Sequence, residues 1–280
     1  MNEAKSTWRY YNHAMIPAVA HHKEPDMTCL KDGSIWKSDE NGTPLLARWT
    51  TDFDCGYETG WWYCIKDTPF DISSLSSNYR YKINKGCKRF DVHQIKPEEY
   101  LEELYEVQTA ALSGYPEKYR PSVDKEKFRK ECLKWEERFR VFGAFFRENN
   151  KLCGYTLIAE HEEYMELQVQ KTDPLYEKHQ INAALVANIL EYYKDELTQG
   201  FYICDGERNI LHETNFQEYL GKYFDFRKAY CKLNLAYNPK IKWIIKIIYP
   251  FRKILEKLDF IGIVHKLNGV LKMETFVRNS

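Results

Sequence analysis

A strand-like segment that leads directly into an amphipathic helix occupies residues 164–193, with the sequence YMELQVQKTDPLYEKHQINAALVANILEYY. The helical half repeats along one face at a 3.6-residue period, through Ile181, Ala184, Leu185, Asn188, Ile189 and Tyr192. The start of such a helix exposes backbone N–H groups and a positive dipole end, which suits an anion such as pyrophosphate. The same pattern is also typical of a strand–helix unit that only packs in a core. The neighbouring elements therefore have to decide between these two interpretations.

The bulk composition excludes several classes of protein. The 280 residues are 44% hydrophobic and 29% charged with a net charge of zero, which is typical of a soluble globular chain and disfavours nucleic acid as a general partner. The eight cysteines form no C-x-x-C pair, so we expect reduced, buried thiols and no metal. The chain shows neither an apolar signal segment nor a run long enough to span a membrane, and we expect it in the cytoplasm.

Residues 1–75 predict a small β-rich module. The segments PLLARWTTDF and GWWYCIKD combine apolar and β-branched residues as strands do, and SIWKS is a short candidate strand between turn signals. His13, His21 and His22 precede these segments. Because no second ligand cluster follows at a defined spacing, we interpret these histidines as part of a solvated loop.

Strands and helices alternate regularly between residues 76 and 239. A basic segment, YRYKINKGCKRFDV, leads into a strand that begins near Cys87; a helix follows over 96–115, and then a second helix with Ser122 as its N-cap. Three strands with tight turns come next and predict an antiparallel meander. After the amphipathic helix come a strand (GFYICDGERN), a helix (HETNFQEYLGKYF) and a last strand (FRKAYCKLNLAYNP). The helical crossover between the fourth and fifth strands predicts parallel neighbours, so the sheet is expected to be mixed.

This order, β–α–α–β–β–β–α–β–α–β, resembles the GNAT (GCN5-related N-acyltransferase) fold over residues 87–238. The segments YRYKINKGCKRFDV and YICDGE are more similar to the FemAB-type branch, whose modules transfer aminoacyl or acyl groups during cell-envelope synthesis. The whole also resembles GNAT-like proteins associated with bacterial surface-polysaccharide synthesis. The resemblance implies an α+β fold with a mixed sheet, and acyl transfer to an amine such as an amino sugar or another envelope precursor.

The resemblance also implies where an acyl donor would bind. The backbone of the fourth strand would pair with the pantetheine arm of acyl-CoA, and the loop amides of residues 177–182 would hold its pyrophosphate. The donor-binding residues expected on this basis are Val169, Gln170, Lys171, Lys178, Gln180 and Asn182.

One departure from the family pattern leaves the identity of the acyl donor undecided. Gln180 and Asn182 stand where family members carry glycines, and a side chain hinders close approach of phosphate to the backbone. Asp173 and Pro174 are also compatible with a helix that starts early and removes the loop. Acyl-CoA (acetyl-CoA), an aminoacyl-tRNA donor and a non-catalytic glycan-pathway module all stay possible.

Three residues are candidates for the chemistry of amine acylation, which needs a base for the amine and an acid for the leaving group. Tyr219, in EYLGKYF, aligns with the acid tyrosine of the family; Asp205 and Glu166 are candidate bases on the fifth and fourth strands. Each has a structural alternative. Tyr219 is equally compatible with packing, Glu166 with plain solvent-facing surface, and Asp205 with a turn before Gly206.

The segment 240–280 differs from the rest of the chain. Residues 240–272 contain eight Lys and Arg against Glu256 and Asp259, a local net charge of +6, and Tyr249-Pro250 is expected to split the helix. One side of the helix would carry Trp243, Ile244, Ile247, Ile248 and Phe251. This pattern is typical of an interfacial helix at an anionic membrane, but an apolar helix face more often packs against protein, here the domain itself or a second subunit of a homodimer.

Overall fold

The computed structural model describes residues 7–38, 42–114, 120–210 and 215–279. The chain forms two compact units. Unit 1 comprises Met1–Tyr63, Glu207–Thr214 and Lys228–Ser280, and unit 2 comprises Cys64–Gly206 and Asn215–Arg227. The domain boundaries expected from the sequence (1–75, 76–239 and 240–280) differ from the limits of these two units. The three-part division stays a prediction.

The described residues form strands and helices in the following order. The strands are β1 (Trp8–Tyr11), β2 (Ala14–Pro17), β3 (Leu46–Thr51), β4 (Trp61–Lys66), β5 (Phe90–Gln94), β6 (Arg140–Phe146), β7 (Lys151–Glu160), β8 (Tyr164–Thr172), β9 (Tyr202–Glu207) and β10 (Arg227–Tyr237). The α-helices are α1 (Thr28–Lys31), α2 (Ser77–Arg89), α3 (Leu101–Ser113), α4 (Lys125–Cys132), α5 (Ile181–Tyr192), α6 (Lys194–Thr198), α7 (Asn215–Phe224), α8 (Pro239–Ile248), α9 (Arg252–Glu256) and α10 (Gly262–Arg278).

Unit 1 contains a small sheet and the helices at the end of the chain. β1 and β2 form an antiparallel hairpin, β2 runs parallel to β3, and β3 pairs antiparallel with β10. Its core is built from the buried residues Trp8, Met15, Cys29, Ile35 and Ala47. The β-rich character expected of the first 75 residues is therefore present.

The short strand expected at SIWKS is wrong, because Ser34–Trp36 is a turn of 3₁₀-helix. The Asp32 side chain accepts a hydrogen bond of 2.8 Å from the Ser34 N–H, and Gly33 has a left-handed φ of 77°. Together they coil the backbone at the point where a strand would have to extend.

Unit 2 contains β5 to β9 in the spatial order β9-β8-β7-β6-β5. The pairs from β5 to β8 are antiparallel and β8–β9 is parallel, which confirms both the meander and the mixed sheet. Apolar side chains of α3 and α4 pack with Tyr155 and Leu157 in one core cluster. Apolar side chains of α5 pack with Phe90 and Cys153 in another. The helices thus cover both faces of this sheet.

Two helix boundaries in unit 2 differ from expectation. The strand expected from Cys87 begins at Phe90, because α2 continues to Arg89 with Ile83 and Gly86 buried. The second helix is capped by Asp124, whose carboxylate accepts a hydrogen bond of 2.9 Å from the Lys127 N–H, and not by Ser122. An acidic side chain at this position satisfies an otherwise unpaired amide and favours the helix dipole.

The break expected at Tyr249-Pro250 is confirmed. α8 ends at Ile248, a turn of 3₁₀-helix covers Tyr249–Phe251, and α9 follows. Proline lacks the N–H that a continuous helix needs at this point. Among the described helices, none combines the length and the apolar character that a membrane span requires.

Candidate functional site

The parallel strands β8 and β9 pair over only three residues. The paired residues are Tyr164 with Tyr202, Met165 with Ile203, and Glu166 with Cys204. Both strands continue beyond this point, β8 to Thr172 and β9 to Glu207, with no further pairing between them. An unpaired strand edge carries N–H and C=O groups that an extended ligand can use.

A β-bulge in β8 lies two residues beyond the last pair. On the β7 side, Leu157 pairs with Val169 and Ile158 pairs with Leu167, so Gln168 is an extra residue without a partner. A bulge bends its strand and increases the local twist. The bend accounts for the loss of pairing between β8 and β9.

The two candidate bases lie on opposite faces of the sheet. Glu166 and its partner Cys204 share one face, and Asp205, the next residue of β9, points to the other because side chains alternate along a strand. Glu166 Oε2 lies 3.8 Å from His161 Nε2. The structure therefore does not bring Glu166 and Asp205 together as a pair.

Asp205 is placed and tuned by α7. Gln217 donates a hydrogen bond of 3.2 Å from Nε2 to the Asp205 carbonyl oxygen. Burial raises the pKa of the Asp205 carboxyl to about 7, and a hydrogen bond from the Gln217 side chain to the carboxyl itself opposes that rise. A carboxyl with a pKa near neutrality is suited to take up and release a proton during a reaction.

Tyr219 combines a packed ring with a hydroxyl that has no hydrogen-bond partner among the described residues. Its ring contacts Phe216, Tyr223 and Phe224, with centroid distances of 5.9, 4.8 and 5.8 Å. Burial raises the pKa of Tyr219, so the phenol stays protonated at neutral pH. The packing interpretation holds for the ring, and the hydroxyl keeps the capacity to donate.

The expected donor-binding residues Gln170 and Asn182 lie together and bind each other. Gln170 Nε2 donates to Asn182 Oδ1 at 2.8 Å, and Thr156 Oγ1, which is fully buried, donates to Gln170 Oε1 at 3.2 Å. This network joins β7, β8 and the first turn of α5. These two side chains thus fix the start of α5 within the protein.

The connection from β8 to α5 is a helix that starts early. Pro174–His179 forms a 3₁₀-helix, and the buried Asp173 caps it by accepting a hydrogen bond of 3.0 Å from the Leu175 N–H. The Tyr176 N–H donates to the Asp173 carbonyl at 3.0 Å, and the Gln180 N–H donates to the Glu177 carbonyl at 2.9 Å. These amides are already bonded, and a buried carboxylate stands beside them. The 3₁₀ turn Pro174–His179 therefore does not fit the pyrophosphate of CoA.

Gln180 adopts the backbone conformation that a glycine would take, with φ 66° and ψ 42°. A non-glycine residue in this left-handed region costs on the order of 1 kcal/mol. The close approach that glycine permits is provided here by Gly86 of α2. An added Cβ at Gly86 would lie 2.4 Å from the Gln180 carbonyl oxygen. The backbone of α2 is thus pressed against the start of α5.

The remaining expected donor residues lie along the same strand and turn. Val169 is half-buried against the core that includes α3, Lys171 pairs with Tyr155 of β7, and the Lys178 carbonyl accepts a hydrogen bond of 2.8 Å from Lys85 Nζ. The pKa of His179 is lowered, first by desolvation and then by the charges of nearby cations. Those cations are Lys178, Arg89 and Lys85. Glu148, which is ion-paired with Arg89, opposes their effect.

Two features of the site were not anticipated. Gln217 lies on the same helix as the candidate acid Tyr219, but no local sequence pattern predicts that it contacts Asp205. Gly86 lies inside a basic segment, where a glycine in a helical stretch is the one available signal of close packing. In the part of the chain that the structure describes, no group of three or more His, Cys, Asp or Glu side chains is placed to hold a metal ion.

Comparisons with known proteins give likenesses of fold. No protein-family model matches the chain, and no curated protein is similar to it in sequence. Among solved structures, FemX superposes with a TM-score of 0.55 at 8% identity, covering 86% of this chain and 85% of FemX. L-PGS from Bacillus licheniformis superposes with a TM-score of 0.50 at 13% identity, covering 86% and 83%. The C-terminal domain of a putative lysylphosphatidylglycerol synthetase from Agrobacterium fabrum gives 0.51 at 9% identity, covering 86% and 84%. The protein has a GNAT-like fold of the FemAB type.

Proposed function

We propose that this protein is an acyltransferase that moves an activated acyl or aminoacyl group onto an amine. The observation that carries the proposal is the end of pairing between β8 and β9 immediately before Asp205, whose pKa is about 7. An open strand edge offers a place for an extended donor. A carboxyl whose pKa is raised toward neutrality by burial offers a base next to it.

The chemistry assigns one proton transfer to each of two residues. Asp205 takes a proton from the incoming ammonium group, and the free amine attacks the carbonyl carbon of the donor. The carbon–nitrogen bond forms as the bond from carbon to the leaving oxygen or sulfur breaks, and the nitrogen then loses its second proton, which restores the phenol of Tyr219 after that residue has protonated the leaving group. Tyr219, which stays protonated because its pKa is raised, gives a proton to the leaving group. Removal of either side chain is expected to slow the reaction, since such proton transfers contribute about 10²- to 10⁴-fold.

Among the possible donors, we favour an aminoacyl ester such as aminoacyl-tRNA over acyl-CoA. The bonded amides of Leu175 and Tyr176 and the buried carboxylate of Asp173 argue against a pyrophosphate at the β8–α5 connection. The cations around His179 suit a phosphate backbone. The name of one relative in fold, lysylphosphatidylglycerol synthetase, is that of an enzyme with an aminoacylated product. For the acceptor we propose an amino sugar or another amine of a cell-envelope or surface-polysaccharide precursor, on the resemblance alone.

The test is a comparison of donors. The protein is incubated with a panel of nucleotide-linked amino sugars and either bulk tRNA charged with labelled amino acids or acetyl-CoA. Loss of label from tRNA and release of free CoA are followed in parallel. We expect acceptor-dependent loss of label, abolished in Asp205→Asn and slowed in Tyr219→Phe. The exposed Glu218 on the same helix provides the control, and Glu218→Gln is expected to behave as wild type. Turnover that is unchanged in Asp205→Asn would contradict the proposed role of this residue.

A further inference from the structure

The helices at the end of unit 1 leave a large apolar surface uncovered. Between residues 243 and 263, nine large apolar side chains are exposed: Trp243, Ile244, Ile247, Phe251, Ile254, Leu258, Phe260, Ile261 and Ile263. Phe260 and Ile263 are 81% and 79% exposed, and Trp243 and Ile247 are each 67% exposed. Soluble proteins rarely keep so many large apolar side chains in water unless the surface binds a partner. We call these nine residues the apolar tip.

Folding of the helices cannot bury the apolar tip, because the helical segment has a separate core. That core is formed by Ile245, Tyr249 and Leu271. The partly buried residues packed against it are Tyr237, Ile241, Ile248, Leu255, Leu267 and Val270. The face predicted from the sequence is thus divided, since Ile248 turns inward while its neighbours Trp243, Ile244 and Ile247 remain outside.

The apolar tip is held in place by polar contacts. Asp259 accepts a hydrogen bond of 2.7 Å from Asn268 Nδ2 and lies 2.8 Å from His265 Nδ1. Asn268 also donates to the Leu255 carbonyl at 3.1 Å. These contacts fasten the turn between α9 and α10, which carries Phe260, to the start of α10, which carries Ile263. Side chains presented from a fastened turn lose less entropy when they are buried by a partner.

The charges around the apolar tip indicate what the partner is. Exposed lysines flank it at positions 240, 242, 246, 253, 257 and 266, whereas Glu256 and Asp259 are the two acidic residues between 240 and 266. Lys246 Nζ lies 5.3 Å from the centre of the Trp243 ring. Aromatic and aliphatic side chains with lysines at their margin match a bilayer surface, where the apolar groups enter the acyl region and the lysines meet anionic headgroups.

We propose that the apolar tip inserts into the surface of an anionic phospholipid bilayer and attaches the protein peripherally. The described helices are not suited to span a membrane, which is consistent with insertion limited to one leaflet. Phe260 and Ile263 enter deepest because they are the most exposed, and the lysines add an attraction that depends on salt.

Co-sedimentation of the full chain with vesicles tests this proposal. One set of vesicles contains phosphatidylcholine alone, and the other also contains phosphatidylglycerol. We expect binding to the anionic vesicles, with an affinity reduced at least about tenfold in Phe260→Ser/Ile263→Ser. We expect a reduction of roughly tenfold to thirtyfold in Lys253→Ala/Lys257→Ala, and weaker binding at high salt.

Matched controls separate insertion from general effects. Tyr81 is 66% exposed in unit 2, and Tyr81→Ser is expected to bind vesicles as wild type does. Lys130→Ala, on the exposed side of α4, controls for loss of charge. Failure of the wild type to bind anionic vesicles would overturn the proposal, and so would undiminished binding by Phe260→Ser/Ile263→Ser. A wild-type dimer in solution that this double variant dissociates would likewise overturn it, by assigning the apolar tip to a second copy of the chain.

Discussion

The side chains of Gln170 and Asn182 are joined by a hydrogen bond of 2.8 Å, which ties β8 to the first turn of α5. Both residues stand where donor-binding groups were expected, but they bind each other, and Gln170 also accepts a hydrogen bond from the buried Thr156. The junction of strand and helix is therefore closed from within by polar side chains.

Removal of this link should destabilise the fold. Gln170→Ala leaves the buried Thr156 hydroxyl and the half-buried Asn182 amide without this partner, so we expect a loss of about 1–3 kcal/mol in the free energy of unfolding, measured with urea. A double-mutant cycle with Asn182→Ala should give a coupling energy of about 1 kcal/mol. The exposed bulge residue Gln168 provides the control, and Gln168→Ala should stay within about 0.5 kcal/mol of wild type. A coupling energy of zero would mean that the two side chains act independently.

The contact between α2 and the start of α5 predicts a cost for any side chain at Gly86. Alanine usually stabilises a helix interior relative to glycine by about 1 kcal/mol. In Gly86→Ala the new methyl would meet the Gln180 carbonyl at 2.4 Å, and we expect destabilisation by about 2 kcal/mol or more. Gly262→Ala is the matched control, since an added Cβ there meets nothing within 4 Å. A stabilised Gly86→Ala protein would show that α2 is free to move away.

Asp205 should make stability depend on pH. Burial raises its pKa from 3.8 to about 7, so between these pH values the folded state binds more protons than the unfolded state. The contribution of Asp205 to the free energy of unfolding is therefore greatest at about pH 4 and below, and it falls as the pH rises to 7. Asp205→Asn removes this pH dependence. We expect the free energy of unfolding of the variant, relative to that of wild type, to increase by roughly 2 to 4 kcal/mol between pH 4 and pH 7. Urea unfolding at a series of pH values measures this gain. Asp195→Asn, at an exposed position of α6, should show none of it.

The cap at Asp173 should matter for stability through its hydrogen bond. Asp173→Ala removes the acceptor for the Leu175 N–H and should cost about 1 kcal/mol, whereas Asp173→Asn keeps an acceptor and should recover most of it. Thermal unfolding of both variants makes the comparison. Equal stability of the two would mean that the cap contributes nothing.

The sequence predicted the order of elements well, since hydrophobic periodicity and turn residues are local signals. The antiparallel meander and the parallel crossover both followed from them. The details of the site did not, because they depend on register and on contacts far apart in the chain. The bulge at Gln168 and the opposite faces of Glu166 and Asp205 require the strand pairing to be known. The contact of Gly86 with Gln180 joins residues 94 positions apart, beyond the reach of any local pattern.

The catalytic role of Asp205 next to an open strand edge is the central claim, and a pH profile of aminoacyl transfer tests it most directly. The rate of acceptor-dependent loss of label from charged tRNA should rise with pH and level off above about 7, as the Asp205 carboxyl ionises. Asp205→Asn should lose this rise together with the activity while it keeps its fold. Transfer by Asp205→Asn at the wild-type rate with the same pH profile would contradict the account, and so would donor turnover by the wild type with acetyl-CoA alone.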